Sequence, residues 1–175
     1  HYLESVSRQK PHVLSHAEEA ILAKIGSFSN AAEDIFSMIN DADIVFPNIK
    51  DENGDNVSLT KGRYAKFMES KDRSVRKAAF DALYETYTKQ KNTLAATYYS
   101  SVKKDAFMAD VRKYSSSLEA ALDDDNIPLS VYENLISSVH KYLPLMHRYV
   151  DIRKKILGVD ELHPYDLYAP LSESS

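Results

Sequence analysis

Histidine spacing is the first feature of this sequence that could support chemistry. The chain has six histidines, at positions 1, 12, 16, 140, 147 and 163. A zinc-peptidase helix carries two histidines four residues apart, with a glutamate base directly after the first. His12 and His16 have this spacing, but Val13 occupies the glutamate position and His12 precedes the predicted start of the helix. We therefore favour exposed or cap-adjacent histidines over zinc ligands at this site.

A second pair, His140 and His147, lies seven residues apart on either side of Pro144. Di-iron helical bundles combine a glutamate with a histidine three residues later. Neither histidine has a carboxylate three residues before it. The di-iron pattern is therefore absent from this pair.

Aspartate and asparagine at alternating positions suggest a calcium loop between residues 51 and 62. Asp51, Asn53 and Asp55 match the first three ligand positions of an EF-hand. The same pattern requires glycine where Asn56 stands and glutamate where Gly62 stands. The calcium interpretation fails on these two positions.

The run from Asp123 to Asp125 could recruit a hard cation, although a solvated acidic loop is the favoured interpretation. With four glycines, the chain has no Gly-x-Ser-x-Gly nucleophile turn, no phosphate-binding loop and no dinucleotide fingerprint. The absence of cysteine removes disulfides, thiolate metal ligands and a cysteine nucleophile. We do not expect this chain to catalyse a reaction unaided.

Tyrosine is unusually common, with 12 residues against no tryptophan. Tyr84 and Tyr87, and then Tyr98 and Tyr99, lie within one predicted helical segment. Tyrosines at helical spacing are usually core or boundary residues whose hydroxyl reaches the rim. The functional alternative is an aromatic lining for a peptide-binding cleft.

The element that organises these residues is a helical pattern over 72–111, which contains neither glycine nor proline. Its apolar stripe is formed by Val75, Ala79, Leu83, Tyr87, Leu94, Tyr98 and Val102. One helix of this length would extend about 60 Å, and so it would overhang a domain whose radius of gyration is roughly 16 Å. Arg73, Arg76 and Lys77 lie in its first turns, where they oppose the helix dipole. A solvated basic face is favoured, and pairing with acids elsewhere is the alternative.

Shorter elements are predicted around this segment from caps and breakers. Ser15 and Glu18 form a capping-box pattern, which predicts a helix from His16 to Gly26. Further helices are predicted over 31–40, over 60–68 after a Thr60 cap, over 115–122, from Pro128 to about Tyr142, and over 144–157. The buried face of the 31–40 helix is predicted to carry Ile35, Met38 and Ile39. The helix that starts near Pro128 has an apolar stripe at Val131, Tyr132, Leu135, Ile136 and Val139. Pro144 is expected to kink or divide the 128–157 stretch, so that one helix ends near Tyr142 and another runs to Leu157.

One β-hairpin is predicted from two short β-favouring runs, 44–46 and 57–59. The Asn53-Gly54 pair between them suits a tight reversal. The tail HPYDLYAPLSESS contains Pro164 and Pro170 and is predicted to be extended, with no later element for Tyr165, Leu167 and Tyr168 to pack against. The fold class is therefore mainly α, a helical lobe built around one long helix with a small β-hairpin.

Composition agrees with a helical domain. The 175 residues are 43% hydrophobic and 27% charged, with a formal net charge of −4, which gives no electrostatic drive toward nucleic acid or anionic membrane. No stretch approaches the roughly 20 apolar residues of a membrane span, and there is no signal-peptide pattern. The sequence starts at His1 without methionine, and so we expect a portion of a longer protein.

Several long segments resemble oligoendopeptidase F, a zinc metallopeptidase of the thimet-oligopeptidase-like clan. They are KPHVLSHAEEAIL, the stretch from DADIVFPNIK to NTLAATY, VRKYSSSLEAAL, NIPLSVYENLI and LMHRYVDIRKKILGVDELHPYDLYAPL. The resemblance covers nearly the whole chain in the family's order. It implies a bacterial, mostly cytoplasmic enzyme that cleaves short peptides in a channel between two helical lobes.

The resemblance also implies which part of the enzyme this chain represents. The family's zinc site is a His-Glu-x-x-His helix with a downstream glutamate, and it follows the Tyr-Asp-Leu-Tyr stretch, so no catalytic, cofactor-binding or metal-ligating residue is carried onto this chain. Residues 1–70 correspond to an N-terminal oligopeptidase F-type region, and residues 71–175 to the long helix and first helices of the peptidase domain. The expected role is channel wall and scaffold, with short peptides and the remaining catalytic lobe as partners and no activity of the chain alone. The alternative is a stand-alone helical interaction module without catalysis.

Overall fold

Eight α-helices and one β-hairpin account for most of the computed structural model, which describes residues 2–172 and not the side chain of Tyr2. The helices are α1 (Tyr2–Gln9), α2 (His16–Ile25), α3 (Ala31–Ser37), α4 (Lys61–Met68), α5 (Arg73–Lys89), α6 (Lys91–Val111), α7 (Ser117–Asp123) and α8 (Leu129–Leu157). Strands β1 (Asn48–Lys50) and β2 (Asn56–Ser58) are antiparallel, with Ile49 opposite Val57. Short 3₁₀ turns cover Lys10–His12 and Pro164–Asp166, and a π-helical segment covers Met38–Asp43. The mainly helical class with a small hairpin is confirmed.

Local capping signals place several helices where the sequence predicts them. The Ser15 hydroxyl accepts a hydrogen bond from the Glu18 N–H, while the Glu18 carboxylate accepts from the Ser15 N–H at 2.8 Å, which completes the capping box of α2. Thr60 caps α4 and Asp72 caps α5 through their side-chain oxygens. Each of these signals lies within three residues of the backbone group that it satisfies.

The chain forms two compact units, each from two separate stretches. The first unit comprises residues 1–43 and 92–139, and the second comprises 44–91 and 140–175. In the first unit, the buried side chains are Leu22 of α2 with Thr97 and Ala109 of α6. In the second, α5 packs on the hairpin and α4 through a larger core, whose buried members are Ile49, Leu59, Phe67, Met68, Val75, Ala79 and Tyr165.

The long segment 72–111 is helical on both sides of Gln90 but is not one helix. Gln90 has φ −102° and ψ 7°, and so α5 ends there and α6 starts at Lys91. Neither glycine nor proline marks this interruption in the sequence. It coincides with the boundary between the two compact units. Val75 and Ala79 of the predicted stripe are buried in the second unit, whereas Tyr98 and Val102 on α6 are exposed, so that part of the burial prediction is wrong.

The prediction that Pro144 divides a helix is wrong. Helix α8 continues through Pro144 to Leu157, and Gly158, at φ +64°, follows its end as expected. Proline has a helical φ and lacks only its own N–H, so the cost falls on the carbonyl of His140. Because His140 is exposed, water can bond that carbonyl.

The hairpin is confirmed with a shifted first strand. β1 begins at Asn48 and not in 44–46, because Pro47 cannot donate to a ladder and favours a strand boundary. Gly54 has φ +83° in the connecting turn, where its N–H donates to the Asp51 carbonyl at 3.0 Å. Phe46 from the predicted strand packs on the core of the second unit instead.

Two expectations about burial are also corrected. Ile35 and Met38 are half or more exposed, because α3 passes into a π-helical segment whose bonding departs from the 3.6-residue spacing. The five residues predicted as the apolar stripe at the start of α8 are likewise exposed among the described residues.

The tail is not simply extended, since Pro164 starts a 3₁₀ turn and Tyr165 enters the core. Residues 173–175 of the predicted tail lie outside the described range.

Candidate functional site

The structure gives His12 and His16 different surroundings. His16 follows the cap of α2, as expected for a cap-adjacent residue. His12 is half-buried, with its ring stacked on Tyr114 at 3.6 Å between centroids and its Nδ1 2.8 Å from the carbonyl oxygen of Arg112. These contacts assign His12 to packing in the first unit.

The remaining described histidines lie on α8 and before the last 3₁₀ turn. His140 and His147 lie on the continuous helix α8, about 10 Å apart along its axis at 1.5 Å per residue. His163 precedes the last 3₁₀ turn and stacks on Tyr165. His1 lies outside the described residues. Within residues 2–172 no group of three or more His, Cys, Asp or Glu side chains could hold a metal, so the residues present do not fit the zinc site implied by the resemblance.

The acidic run contributes one residue to a polar cluster in the first unit. Asp123 pairs with Arg8 and accepts a hydrogen bond from the Tyr114 hydroxyl at 2.9 Å. Burial and this hydrogen bond raise the pKa of Tyr114. Asp124 and Asp125 are exposed, which agrees with the solvated-loop interpretation for that part of the run.

An open groove with a largely apolar lining lies in the first unit. It lies between the turn that joins α2 to α3 and one face of α6, with a volume of about 650 Å³. Phe28, Ile35 and Phe107 line it, and Lys103 and Lys104 supply its positive charges. Its size lies within the range of small-ligand sites, and its lining suits apolar groups that carry a negative charge.

The predicted tyrosines divide between packing and exposure. Tyr87 packs against Phe46, and Tyr84 contacts Phe80 at 4.4 Å between ring centroids. Tyr98 and Tyr99 are exposed on α6, and the ammonium group of Lys103 lies 4.8 Å from the centroid of the Tyr99 ring. The boundary interpretation fits the first pair, while the second pair is available to a ligand.

The most elaborate polar constellation is one that the sequence patterns did not reveal. Asp166 is fully buried and receives the guanidinium groups of two arginines from the start of α5. Arg73 donates to its two carboxylate oxygens at 3.1 and 2.9 Å, and Arg76 donates to Oδ1 at 2.8 Å. The helix-start arginines therefore pair with a distant acid, the alternative to the solvated face favoured from sequence.

Arg76 and a third arginine bind the backbone around this acid. Arg76, only 3% exposed, also donates to the carbonyls of Tyr165 and Ser70 at 3.0 and 2.8 Å. Arg153 of α8, 5% exposed, donates to the carbonyl of Asp166 at 3.0 Å and to that of Ala169. Guanidinium groups suit this role because each offers five N–H donors in a rigid plane.

The charge state of Asp166 follows from these contacts. Burial by itself raises the pKa of the carboxyl, but the hydrogen bonds from Arg73 and Arg76, together with the N–H of His163, outweigh it. The pKa therefore lies well below its usual range and the group is ionised at neutral pH. The arrangement is a structural clamp, since every group in it is bonded within the second unit.

A signal for this clamp exists but is weak. Arg73 and Arg76 are three residues apart and so share a helix face, from which both can reach one acid. Pro164 suits the first position of a helical turn, which would place Asp166 inside that turn. Nothing local connects the two ends of a contact separated by 90 residues.

Comparisons with known proteins give a consistent result over the whole chain. Residues 66–174 match the family described as Peptidase family M3, and residues 1–46 match that described as Oligopeptidase F. The chain is 50% identical to Oligopeptidase PepF of Bacillus subtilis over 171 residues, which are 98% of this chain and 26% of that protein. It is 44% identical to Group B oligopeptidase PepB of Streptococcus agalactiae, over 99% of this chain and 29% of that protein.

Solved structures agree with these sequence relationships. Oligoendopeptidase-F from Enterococcus faecium superposes with a TM-score of 0.94 at 46% identity, over 98% of this chain and 33% of that chain. A putative peptidase from Chlamydophila abortus superposes with a TM-score of 0.92 at 35% identity, over 98% of this chain and 29% of that chain. The chain thus spans about a quarter to a third of the length of the relatives that it matches. None of the helices among residues 2–172 combines the length and apolar character needed to cross a bilayer.

Proposed function

Because this chain belongs to peptidase family M3, we propose that it is part of a zinc-dependent oligoendopeptidase that hydrolyses short peptides in an enclosed channel. The observation that carries the proposal is that 98% of this chain matches oligopeptidases, at 50% identity to the Bacillus subtilis protein and with a TM-score of 0.94 to the Enterococcus faecium structure. The names of these relatives, oligopeptidase and oligoendopeptidase, describe cleavage of oligopeptides, which supports a peptide substrate. The remaining catalytic lobe would belong to the same natural protein.

In this proposal, residues 1–175 contribute wall and scaffold and none of the zinc ligands. The side chains of residues 2–172 do not fit a zinc site, so the ligands and the general base would come from elsewhere in the longer protein. Zinc, when bound there, would polarise the scissile carbonyl and activate water. This chain would contact the peptide only through non-catalytic surfaces.

Two features of the first unit support a role beside the substrate. The apolar groove with Lys103 and Lys104 suits a peptide that has an apolar side chain and a free carboxylate. Tyr98 and Tyr99 present rings and hydroxyls on the same helix. We place the division between the oligopeptidase F-type region and the peptidase domain near residue 70, and the working enzyme in the cytoplasm, where the lack of cysteine suits reducing conditions.

A quenched fluorescent peptide assay tests the proposal on two proteins, the 175-residue chain and the full natural protein that contains it. We expect chelator-sensitive cleavage by the full protein and none by the chain alone with added zinc. Zinc-dependent turnover by the chain alone would contradict the wall-and-scaffold role. Absence of peptide cleavage by the full, folded protein would contradict the peptidase assignment.

The complete reading frame separates this proposal from a stand-alone helical interaction module. Translation that continues past Ser175 into a His-Glu-x-x-His segment supports the peptidase. A stop codon directly after Ser175 supports the interaction module.

A further inference from the structure

The second half of α8 carries an apolar surface that is twice as wide as a surface helix needs. On a helical projection at 100° per residue, the large apolar side chains between residues 140 and 157 cover an arc of about 180°. A helix that packs on one neighbour needs an arc of only about 100°. We call six of these residues the α8 apolar surface: Tyr142, Leu145, Met146, Tyr149, Ile152 and Ile156.

These side chains are exposed although they are apolar. Leu145 is 62% exposed and Ile156 is 56% exposed, and the other four lie between 45% and 57%. Within the arc, Arg153 is buried because it binds the carbonyls of Asp166 and Ala169. The 164–169 segment therefore covers one strip of α8 and leaves the α8 apolar surface open.

The exposed area is large enough to bind a partner specifically. Six large side chains that are each about half exposed present roughly 600 Å². The largest apolar patch on a typical monomer has a similar size and is often functional, and a stable interface uses about 800 Å² on each partner. The α8 apolar surface thus needs only modest additional contacts to form a specific interface.

A row of positive charges borders this surface and restricts what can cover it. Lys141, Arg148 and Lys155 are seven residues apart and lie along one line of the helix. Among the described residues they make no ion pair, and the Lys141 ammonium lies 5.6 Å from the centroid of the Tyr142 ring. The occupant that fits has an apolar face with acidic side chains along one edge.

This charge pattern disfavours an antiparallel pairing of α8 with a second copy of the chain. In an antiparallel two-fold pairing of α8 with itself, each edge faces the same edge of the partner. The two basic rows would then lie side by side and repel each other. A segment of different sequence avoids this repulsion.

We propose that the α8 apolar surface is the docking site for another segment of the same natural protein, outside residues 1–175, that presents an apolar helical face edged by Asp or Glu. This chain covers only 26–33% of the two sequence relatives and two solved structures described above. The rest of each of those proteins is long enough to supply such a segment. The inference rests on the proposed function only in taking this chain as a portion of a longer peptidase. The interaction is intramolecular, so it needs no high affinity between separate chains.

Thiol labelling of the full natural protein tests this inference, because residues 1–175 contain no native cysteine. Leu145→Cys and Ile156→Cys probe the α8 apolar surface, and His147→Cys and Asp151→Cys are controls on the exposed polar side of the same helix. After maleimide treatment, digestion and mass spectrometry give the labelling rate of each introduced cysteine. We expect labelling of the two surface probes to be about 50-fold slower than that of the controls.

Each outcome bears on the inference. Equal rates for probes and controls would overturn it, and so would protection that disappears on dilution, which indicates a second copy. Arg148→Glu tests the charged edge without placing a cysteine in the apolar surface, and we expect it to speed Leu145→Cys labelling about 10-fold, whereas an unchanged rate would overturn the acidic-edge requirement. Circular dichroism verifies that every variant is folded.

Peptidase activity keeps this inference separate from the proposed function. Rapid labelling of both probes in an active peptidase would overturn the docking surface and leave the function intact. Slow labelling in a folded protein that cleaves no peptide would overturn the function and leave the docking surface intact.

Discussion

Replacing Asp166 with asparagine tests the buried clamp of the second unit. Asp166→Asn keeps the shape of the side chain but removes the charge that balances Arg76, which is only 3% exposed. Removing one partner of a buried ion pair typically costs 3–5 kcal/mol, because the other charge stays buried and unpaired. Arg73 is half-buried and retains access to water, so we place the loss at the lower end, about 3 kcal/mol.

Urea unfolding followed by circular dichroism measures this loss as a change in the free energy of unfolding. For a chain of this size, about 3 kcal/mol corresponds to a fall in Tm of about 6–12 °C. Asp151→Asn is the matched control, because Asp151 is an exposed residue of α8 and the substitution is chemically identical. We expect the control to change stability by less than about 0.5 kcal/mol. If the two variants unfold alike, the clamp does not stabilise the fold.

The difference in stability between the unmodified protein and Asp166→Asn depends on pH with a definite sign. The pKa of Asp166 is lowered in the folded state, so its contribution to stability is fully present above the unfolded pKa of about 3.9. As pH falls below that value, the unfolded chain takes up the proton first and the contribution declines toward the folded pKa. The stability difference between the unmodified protein and Asp166→Asn should therefore hold steady from pH 7 to about 5 and shrink below about pH 4. A difference that grows on acidification would refute the ionised state of Asp166.

Three further substitutions test the packing and the local signals, each read as the free energy of unfolding in urea. Leu59→Ala should cost about 3 kcal/mol, because Leu59 is among the largest fully buried side chains and its loss leaves a cavity. Gly54→Ala should cost about 1 kcal/mol because Gly54 has a φ of +83°, although the added methyl group meets open space. Its control is Gly62→Ala on α4, where φ is not positive, and this substitution should be neutral or stabilising. Ser15→Ala should cost about 1 kcal/mol through the lost cap of α2, and Ser130→Ala, an exposed serine at the start of α8, should cost less than about 0.5 kcal/mol.

The sequence predicts those parts of the fold whose causes are local. The capping box at Ser15, the Thr60 cap and the stop at Gly158 each depend on groups a few residues apart. The hairpin turn was predicted from Asn53 and Gly54 for the same reason, since glycine alone accepts the positive φ without cost.

Features with distant causes were missed or misjudged. The acid that pairs with Arg73 and Arg76 lies 90 or more positions away, so no partner for these arginines is evident in the sequence and a solvated face was favoured incorrectly. The interruption at Gln90 reflects the division into compact units and not a breaker residue. Pro144 breaks a helix by propensity, yet α8 tolerates it because a single exposed carbonyl bears the cost.

The sequence-based expectations about functional residues came from family motifs and did not include the geometry of a site. Val13 at the glutamate position disfavours the zinc-helix pattern at His12 and His16, and the structure gives His12 a packing role that spacing could not reveal. The groove beside Lys103 and Lys104 combines residues from α2, α3 and α6, and therefore has no signature in any one segment.

The Arg76–Asp166 contact also determines when the second unit can be completed during synthesis. Ninety residues separate the two partners, and a ribosome adds about 5–20 residues per second, so the nascent arginine waits about 5–20 s for its carboxylate. Throughout this interval Tyr165 is also absent, and the apolar stripe of α5 at Val75 and Ala79 lacks part of its cover. Translation thus leaves this unit open until its last stretch emerges, and a chaperone that shields α5 during those seconds would protect the polypeptide when it is most prone to aggregate.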